Sequence, residues 1–274
     1  MLRYDLHTHS TASDGALSPH ALVERARQQN VQVLALTDHD TVAGVQALQG
    51  QMGDMTLING AELTCLWGSR MVHIVGLRLD IGCPRLLEYL QGIDQLRQQR
   101  AEQVALRLMK KGLPDLLAEA RANAAGGVIG RPHFASAMVE RGLVKTEQQA
   151  FTQYLGTGKT GDVKMQWPDM AEAIAVITQA GGLAVLAHPT KYRFTFTKIR
   201  ALMAQFKADG GHAMEVSYTG ISPSHQLELI KLVNQHELLA SAGSDFHSPA
   251  HHWTEVGRFM PLKQPVPHIM DHLL

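Results

Sequence analysis

Short apolar runs alternate with amphipathic stretches along this chain, and the alternation predicts its secondary structure. Seven apolar runs have the pattern of β-strands, and each ends in polar residues: 3–9, 33–39, 57–62, 72–76, 183–188, 213–217 and 238–245. Helical patterns lie between most of them. Ser18 with Pro19 is typical of a helix start, and Gly181 with Gly182 is typical of a helix end. This order of strands and helices predicts an α/β protein with a parallel sheet closed into a barrel.

One segment interrupts the alternation. From about residue 95 to residue 167 the pattern is helical, and no convincing strand occurs. We therefore predict an all-helical insertion between the fourth and fifth strands, where it could form a lid. The predicted organisation is a first part of the barrel at 1–95, the insertion at 96–168 and a second part of the barrel at 169–274.

Composition narrows the classes of partner. A chain of 274 residues can bury a large core, and its 25 basic and 25 acidic side chains balance. No overall charge therefore attracts nucleic acid or an anionic membrane, and any phosphate binding must be local. Cys65 and Cys83 lack the spacing of a thiolate zinc site or a disulfide framework. Without a basic leader or a long apolar run, we expect a cytoplasmic protein with no membrane contact and no obligatory protein partner.

Histidine is unusually frequent, with 15 residues, and several stand at predicted strand ends. His7 and His9 lie two residues apart at the end of the first predicted strand, so their side chains point to the same side of an extended chain. Asp14 follows five residues later. In an α/β barrel the carboxyl ends of the strands form the active site. The other predicted strand ends also carry residue types that bind metals: His39, Glu62, His73, His188, Glu215, Asp245 and His247.

Together these residues predict a site for more than one metal ion, because random placement would not select strand ends so consistently. Single members are weaker evidence. His73 or His188 alone would fit a core histidine, and Glu215 could orient a ligand or pair with Lys191. Imidazole and carboxylate ligands without a thiolate suit manganese, zinc or iron, and geometry alone does not choose among them.

The chain resembles the PHP (polymerase and histidinol phosphatase) family of phosphoesterases over nearly its whole length. The resemblance rests on the motifs DLHTHSTASDG, ALTDHDT, VLAHP and SAGSDFH, with GAEL and HIVGL between them. The insertion, with GRPHFA and YLGTGKTGDVKMQW, is similar to that of the subgroup that includes ribonuclease AM and the nucleoside 3',5'-bisphosphate phosphatases. The resemblance implies a distorted seven-stranded barrel with two or three divalent metal ions, and among the candidate metals it favours manganese.

The family motifs, carried over to this chain, imply which residues bind each metal. The three sets combine imidazoles with carboxylates: His7, His9, Glu62 and Asp245 for the first metal; Glu62, His73 and His188 for the second; Asp14, His39 and His247 for the third. Asp245 would thereby belong to the catalytic residues. Asp38 and Asp40, which flank His39, could orient its ring or be solvated turn carboxylates.

Four further residues are candidates for binding the substrate phosphate. They are Arg131 and His133 of GRPHFA, Lys159 of GTGKTG and Lys191 after the AHP motif. Arginine offers phosphate a pair of parallel hydrogen bonds, and lysine offers a point charge. Arg131 and His133 are also catalytic candidates, because His133 could bind a phosphoryl oxygen or protonate the leaving 3'-oxygen. Alternatively, the two residues simply cap a helix.

The resemblance implies a reaction as well as a site. Adjacent dications acidify a water and neutralise charge on phosphoryl oxygens, so no protein nucleophile is needed. We expect hydrolysis of the bond between phosphorus and the 3'-oxygen of nucleotides with a 5'-phosphate, either small 3',5'-bisphosphates or RNA 5' ends. Departures from the subgroup pattern at Asp162 and Lys191 affect substrate affinity and base preference. The alternatives are a histidinol-phosphate phosphatase, an amidohydrolase, and a non-catalytic interaction domain stabilised by metal.

Overall fold

The computed structural model describes residues 2–50, 53–262 and 264–274. Its seven-stranded sheet has the strands in sequence order: β1 (Tyr4–Asp5), β2 (Val33–Leu36), β3 (Thr56–Trp67), β4 (Arg70–Leu77), β5 (Leu183–Leu186), β6 (Ala213–Ser217) and β7 (Leu239–Ala242). The Leu6 N–H donates to the Ala242 carbonyl at 3.3 Å, and the His9 N–H donates to the Phe246 carbonyl at 3.0 Å. These bonds join the last strand to the first. The predicted seven-stranded α/β barrel is therefore confirmed.

Strand β4 runs against its neighbours. The β3–β4 and β4–β5 pairs are antiparallel, whereas the other neighbouring pairs are parallel. The prediction of a parallel sheet is therefore wrong at β4. The physical reason is the two-residue connection of Gly68, which has a φ of 58°, and Ser69, because so short a turn can form a hairpin but not a crossover. As a result, His73 near the start of β4 lies beside the carboxyl end of β5, where its carbonyl accepts from the Ala187 N–H at 3.1 Å.

Helices surround the barrel and fill the segment between β4 and β5. They are α1 (Pro19–Gln28), α2 (Ala43–Ala47), α3 (Pro84–Lys110), α4 (Leu117–Asn123), α5 (Arg131–Glu140), α6 (Glu147–Ala150), α7 (Met170–Gln179), α8 (Phe196–Ala208) and α9 (Pro223–Gln235). The predicted start of α1 is confirmed, since the hydroxyl of Ser18 accepts from the Ala21 N–H at 3.2 Å. Within the described residues, no helix combines the length and the apolar character needed to cross a membrane.

Helix α3 connects two apolar clusters. Leu90 and Ile93 in its first half belong to the main core around the barrel, whereas Leu108 in its second half packs with Phe134 and Met138 of α5. The second cluster is formed by residues between β4 and β5. The limits of the insertion at 96 and 168 stay a prediction, because α3 passes through the first of them without a break.

His268 links the C-terminal turn of the chain to β1. Its Nδ1 accepts from the Met270 N–H at 3.2 Å, and its Nε2 lies 3.1 Å from the hydroxyl of Tyr4. Burial lowers the pKa of His268 from 6.5 to about 4, although the charge of Asp271 opposes the change. Protonation would place a hydrogen on Nδ1 against the Met270 N–H. The folded state therefore requires the neutral imidazole.

This requirement predicts a pH dependence of stability. Because the unfolded chain binds a proton at His268 near pH 6.5 and the folded chain does so near pH 4, acidification between these values favours unfolding. His268 should contribute at most about 1.4 kcal/mol per pH unit to this loss. We expect His268→Gln to flatten the fall in unfolding free energy, measured with urea from pH 7 to pH 4. His272→Gln, at an exposed position of the same turn, is the control, and equal slopes in wild type and His268→Gln would contradict the prediction.

Candidate metal centre

The two histidines after β1 face each other at the carboxyl edge of the barrel. The Nε2 atoms of His7 and His9 lie 3.0 Å apart, and both side chains are fully buried. The extended chain beyond β1 explains this convergence, because residues two apart point to the same side. Two imidazoles so close together in the interior need a shared partner.

Glu62 of β3 is that partner, and it stands at the centre of the cluster. Its Oε2 lies 3.2 Å from His7 Nε2, 3.3 Å from His9 Nε2 and 3.0 Å from His39 Nδ1. Its other carboxylate oxygen, Oε1, lies 2.9 Å from a nitrogen of His73 and 2.9 Å from one of His188. One fully buried carboxylate therefore contacts histidines from several parts of the barrel.

Asp14 and Asp245 bring a carboxylate to either side of this centre. Asp14 Oδ1 lies 3.3 Å from His247 Nε2, and Asp14 Oδ2 lies 3.8 Å from His39 Nε2. Asp245 Oδ1 lies 3.3 Å from His9 Nε2, while Asp245 Oδ2 contacts the ammonium of Lys191. Burial alone would raise the pKa of Asp245, but Lys191 and the neighbouring histidines hold it well below its usual range.

The donor atoms that lie within 4.8 Å of one another form three groups: His7, His9 and Glu62; His39, Glu62 and His73; and His9, Asp14, His39 and His247. The implied sets differ from these groups in their membership. His39 stands with Glu62 and His73, whereas His188 and Asp245 contact the cluster from outside the groups. The assignment of each ligand to one metal stays a prediction.

Unpaired polar atoms test whether these residues suit metal ions. Several buried atoms of the cluster lie close to other cluster atoms or to none, but have no hydrogen bond of good geometry among the described residues: Glu62 Oε2, Asp14 Oδ1, His9 Nδ1, His39 Nδ1 and His188 Nδ1. Each unpaired buried donor or acceptor costs about 1–3 kcal/mol. The presence of several such atoms in one place therefore calls for another partner. Imidazole nitrogens and carboxylate oxygens are ligands of divalent transition metals. The residues present therefore fit divalent metal ions.

The ionisation of His39 and Glu62 agrees with this fit. Burial lowers the pKa of His39 to about 3, so its ring is neutral at pH 7. Burial alone would raise the pKa of Glu62, but the histidine cluster around it holds this pKa well below its usual range. Burial alone would lower the pKa of His7 and of His9, but the neighbouring carboxylates raise both, so a metal ion would have to displace their protons. A neutral imidazole and an ionised carboxylate are the forms that bind metals.

Glu215 of β6 orients two of the predicted ligands. Its Oε1 accepts from His7 Nδ1 at 2.6 Å, and its Oε2 accepts from the backbone N–H of His188 at 2.6 Å. This is the first of the two roles considered for it, and it is the contact that fixes the tautomer of a metal-binding histidine. Lys191 pairs with Asp245 instead.

Asp38 and Asp40 do not bond to His39, and both are buried, so neither predicted role holds. Asp38 accepts from the Ser10 N–H and from the Ser13 hydroxyl, each at 2.7 Å, and thereby holds the loop that carries Asp14. Asp40 faces Arg97 and the backbone of β3. Both carboxylates hold neighbouring chain segments because they are buried, and Asp40 lies against Arg97 of α3.

Comparison with known proteins agrees with this site. The family model described as "PHP domain" matches residues 5–131. The 5'-3' exoribonuclease Rnm of Escherichia coli is 43% identical over 93% of this chain and 88% of its own length. The 3',5'-nucleoside bisphosphate phosphatase of Chromobacterium violaceum is 37% identical over 97% of this chain and 95% of its own length. The chain belongs to the PHP family.

A solved structure extends the match to three dimensions. It is that of an amidohydrolase from Chromobacterium violaceum with bound sulfate and no metal, and it superposes with a TM-score of 0.92 at 36% identity. The superposition covers 99% of this chain and 95% of that one. These matches confirm the PHP family and the predicted subgroup of phosphoesterases.

The insertion of this PHP chain brings Arg131 and His133 to the first turn of α5. His133 Nδ1 accepts from the Gly130 N–H at 2.9 Å, so the capping role considered for it is observed. Burial lowers the pKa of His133, against the opposing effects of Asp14 and of hydrogen bonds with the backbone. Arg131 donates to the Leu155 carbonyl at 2.9 Å and lies 3.8 Å from Asp162.

The two lysines lie in different surroundings. Lys191 is beside Asp245, with its ammonium 5.6 Å from the centre of the Tyr218 ring. Lys159 is exposed in a turn of the insertion. In that turn, Asp162 accepts from the Gly158 N–H at 2.8 Å. The structure thus brings Lys191 to the metal ligands and leaves Lys159 on the surface of the insertion.

Sequence patterns missed two residues that support the site. The hydroxyl of Tyr192 accepts from the His73 N–H at 2.9 Å and donates to the Ala187 carbonyl at 2.8 Å. Arg97 of α3 bonds to Asp40. The pattern of the chain marks Arg97 as an ordinary polar position of a long helix, while Tyr192 follows the AHP motif closely enough to be a candidate.

Glu62 generates a prediction, because it is shared by two of the three donor groups. We expect Glu62→Gln to bind fewer metal equivalents than wild type, since an amide carries no charge to neutralise a dication. Metal content after manganese loading and the rise in Tm on loading both measure this effect. Glu102→Gln, at an exposed position of α3, is the control. Full metal content and an undiminished Tm rise in Glu62→Gln would show that Glu62 is not a ligand.

Proposed function

We propose that this PHP protein hydrolyses the bond between phosphorus and the 3'-oxygen of nucleotides that carry a 5'-phosphate. Its substrates are nucleoside 3',5'-bisphosphates, RNA 5' ends trimmed in the 5'-3' direction, or both. The observation that carries the proposal is the convergence of three metal-ligand groups around Glu62, with Lys191 beside them. The names of the two relatives, an exoribonuclease and a bisphosphate phosphatase, support it.

Two or three manganese ions are the proposed cofactors, with zinc or iron as alternatives of similar ligand preference. His7, His9, Glu62 and Asp245 would hold the first ion, His73 and His188 would complete the second, and Asp14, His39 and His247 would hold the third. When bound, the ions would lower the pKa of a water, so that hydroxide is available as nucleophile, and would neutralise charge on the phosphoryl oxygens. The chain itself therefore has to bind, orient and discriminate its substrate.

Lys191 and Arg131 are two of the proposed phosphate contacts. Lys191 brings an ammonium to the edge where Asp245 and His9 meet, so it can neutralise a phosphoryl oxygen there. Arg131 commits one terminal nitrogen to the Leu155 carbonyl, and among the described residues its other nitrogens have no hydrogen-bond acceptor. Those nitrogens are the proposed donors to the 5'-phosphate.

His133 has two proposed catalytic roles, and its surroundings favour one of them. Because burial lowers its pKa, the ring is neutral near pH 7 and is a poor proton donor to a leaving oxygen. Nδ1 is occupied by the Gly130 N–H, so the hydrogen of the ring lies on Nε2. We favour His133 as a hydrogen-bond donor to a phosphoryl oxygen.

Lys159 completes the proposed set as a more distant contact. Its turn is ordered by Asp162, which accepts from the Gly158 N–H and lies 3.8 Å from Arg131. An exposed ammonium in this position can meet the next phosphate of an RNA chain, a group that a small bisphosphate lacks. Lys159 would then matter for RNA and less for small nucleotides.

The alternatives fit the site less well. A non-catalytic domain would be expected to lack some ligands, yet every predicted ligand lies in or against the cluster. Many amidohydrolases, the class named for the Chromobacterium structure, bridge their metals with a modified lysine. Here the central residue is Glu62, and the nearby Lys191 pairs with Asp245. A histidinol-phosphate phosphatase is disfavoured by the helical insertion. A cytoplasmic location stays a prediction.

A comparison of substrates tests the proposed function. We expect the manganese-loaded protein to cleave adenosine 3',5'-bisphosphate and 5'-monophosphorylated RNA with larger kcat/KM than histidinol phosphate or RNA with a 5'-hydroxyl. The reason is that a 5'-phosphate adds charge-assisted hydrogen bonds at the insertion. His9→Ala, prepared in parallel, controls for contaminating nucleases. Equal rates on the phosphorylated and hydroxylated RNA ends would contradict recognition of the 5'-phosphate.

Arg131 gives a sharper test of the same recognition. We expect Arg131→Ala to lose roughly a hundredfold in kcat/KM on substrates with a 5'-phosphate, which lies within the range of about 1.5–3 kcal/mol for a hydrogen bond to a charged group. Its rate on RNA with a 5'-hydroxyl should change little, so the preference for the phosphate narrows. Arg141→Ala, at the exposed end of the same helix, is the matched control. An unchanged preference combined with a lower Tm would leave Arg131 with the role of tethering α5 to Leu155.

A further inference from the structure

A buried ion pair joins the long helix of the insertion to the metal centre. Arg97 of α3 is 9% exposed and Asp40 is 2% exposed. The Nε of Arg97 donates to Asp40 Oδ2 at 2.7 Å, and a terminal nitrogen of the same guanidinium also contacts this oxygen. Asp40 directly follows His39, one of the predicted ligands. The pair therefore lies immediately behind the metal cluster.

Asp40 holds the loop after β2 against β3. Its Oδ1 accepts from the Thr64 N–H at 2.6 Å, and its own N–H donates to the Glu62 carbonyl at 2.9 Å. The backbone of Asp40 has a φ of 53°, in the left-handed region that non-glycine residues rarely adopt. These contacts fix the residue after His39 to Glu62 itself and to Thr64, two residues further along β3. They thereby set the separation between the side chains of His39 and Glu62.

Arg97 extends the same network into the insertion. The terminal nitrogen that contacts Asp40 also donates to Thr64 Oγ1 at 3.0 Å, and the other terminal nitrogen lies 3.5 Å from the Ile129 carbonyl. The neighbouring Val128 N–H donates to the Ala12 carbonyl at 2.9 Å, in the loop that carries Asp14. One guanidinium thus contacts β3, the loop after β2 and the insertion segment that rests on the Asp14 loop.

We propose that Arg97 is a positioning residue that fixes the spacing of the metal ligands His39, Glu62 and Asp14 from the insertion. A buried ion pair contributes little net stability, because desolvation of both charges offsets their attraction. Its value here is geometric, since the planar guanidinium bonds to three partners in fixed directions. Through Arg97, the insertion therefore positions metal ligands that the barrel loops carry.

Metal affinity separates this role from a merely structural one. Arg97→Met would leave Asp40 as a buried charge without a partner and could unfold the chain. The double variant Arg97→Met with Asp40→Asn removes both charges together and should stay folded. Arg97→Lys keeps the charge but, as a point charge, cannot bond to Asp40, Thr64 and Ile129 at once. Arg121→Met, which breaks the exposed pair of Arg121 with Glu102, is the matched control.

The experiment titrates chelator-stripped full-length variants with Mn²⁺ in chelator-buffered solutions and counts bound equivalents. We expect the double variant to keep a Tm near that of wild type without metal and to bind at least one equivalent about ten- to a hundredfold more weakly. Arg97→Lys should fall between the double variant and wild type, and Arg121→Met should match wild type. On the best nucleotide substrate, kcat should fall while KM changes little, because the contacts to substrate remain.

Wild-type Mn²⁺ affinity in the double variant, with only its Tm lowered, would overturn the proposal and leave Arg97 as a structural residue. Wild-type affinity in Arg97→Lys would also overturn it, since the planar geometry would then be dispensable. The titration contains no substrate. Its outcome is therefore independent of the proposed nucleotide specificity, and a failure of one proposal is distinguishable from a failure of the other.

Discussion

The structure depends on keeping the carboxylate of Glu62 ionised in a fully buried position. An isolated buried charge would be too costly to retain, so polar partners must surround it on all sides. The barrel meets this requirement because closure brings the ends of distant strands to one edge. His7 and His9 arrive after β1, His188 after β5, and Glu215 of β6 aligns His7 and the His188 backbone. The same convergence that satisfies Glu62 brings the predicted metal ligands together.

Reversal of β4 is the feature by which this barrel departs from a regular alternation of strand and helix. A hairpin after Gly68 returns the chain at once, so β4 begins at the edge where β3 and β5 end. His73 therefore reaches Glu62 from the start of a strand. The long segment that follows β4 leaves from the opposite edge and returns to β5 through the insertion. The turn of Gly68 and Ser69 thus places the predicted ligand His73 on the hairpin. It also makes β4 end at the opposite edge, where the helical segment between β4 and β5 begins.

Sequence patterns could predict which histidines and carboxylates converge better than they could predict the residues that support them. Histidines at strand ends are visible because metal chemistry demands particular residue types, and the strand pattern tells where they meet. The direction of β4 could be inferred only from Gly68 and Ser69, a weak signal beside a strong strand pattern. Asp38, Asp40 and Arg97 could not be assigned, because their roles depend on which helix packs over the turn. Contacts between distant segments, with no fixed spacing, leave no periodic trace in the chain.

The loops that carry the predicted ligands Asp14 and His39 are far from the insertion in sequence, yet the physical chemistry of the site couples them. Divalent ions respond to small changes in ligand separation, and the loops that carry His39 and Asp14 have few strand hydrogen bonds of their own. Such loops need external support to hold their ligands. The long α3, which packs in the barrel core at one end and in the insertion at the other, provides it. Because α3 supports predicted metal ligands and borders the proposed phosphate contacts, it can fix the position of the substrate relative to the metal ions.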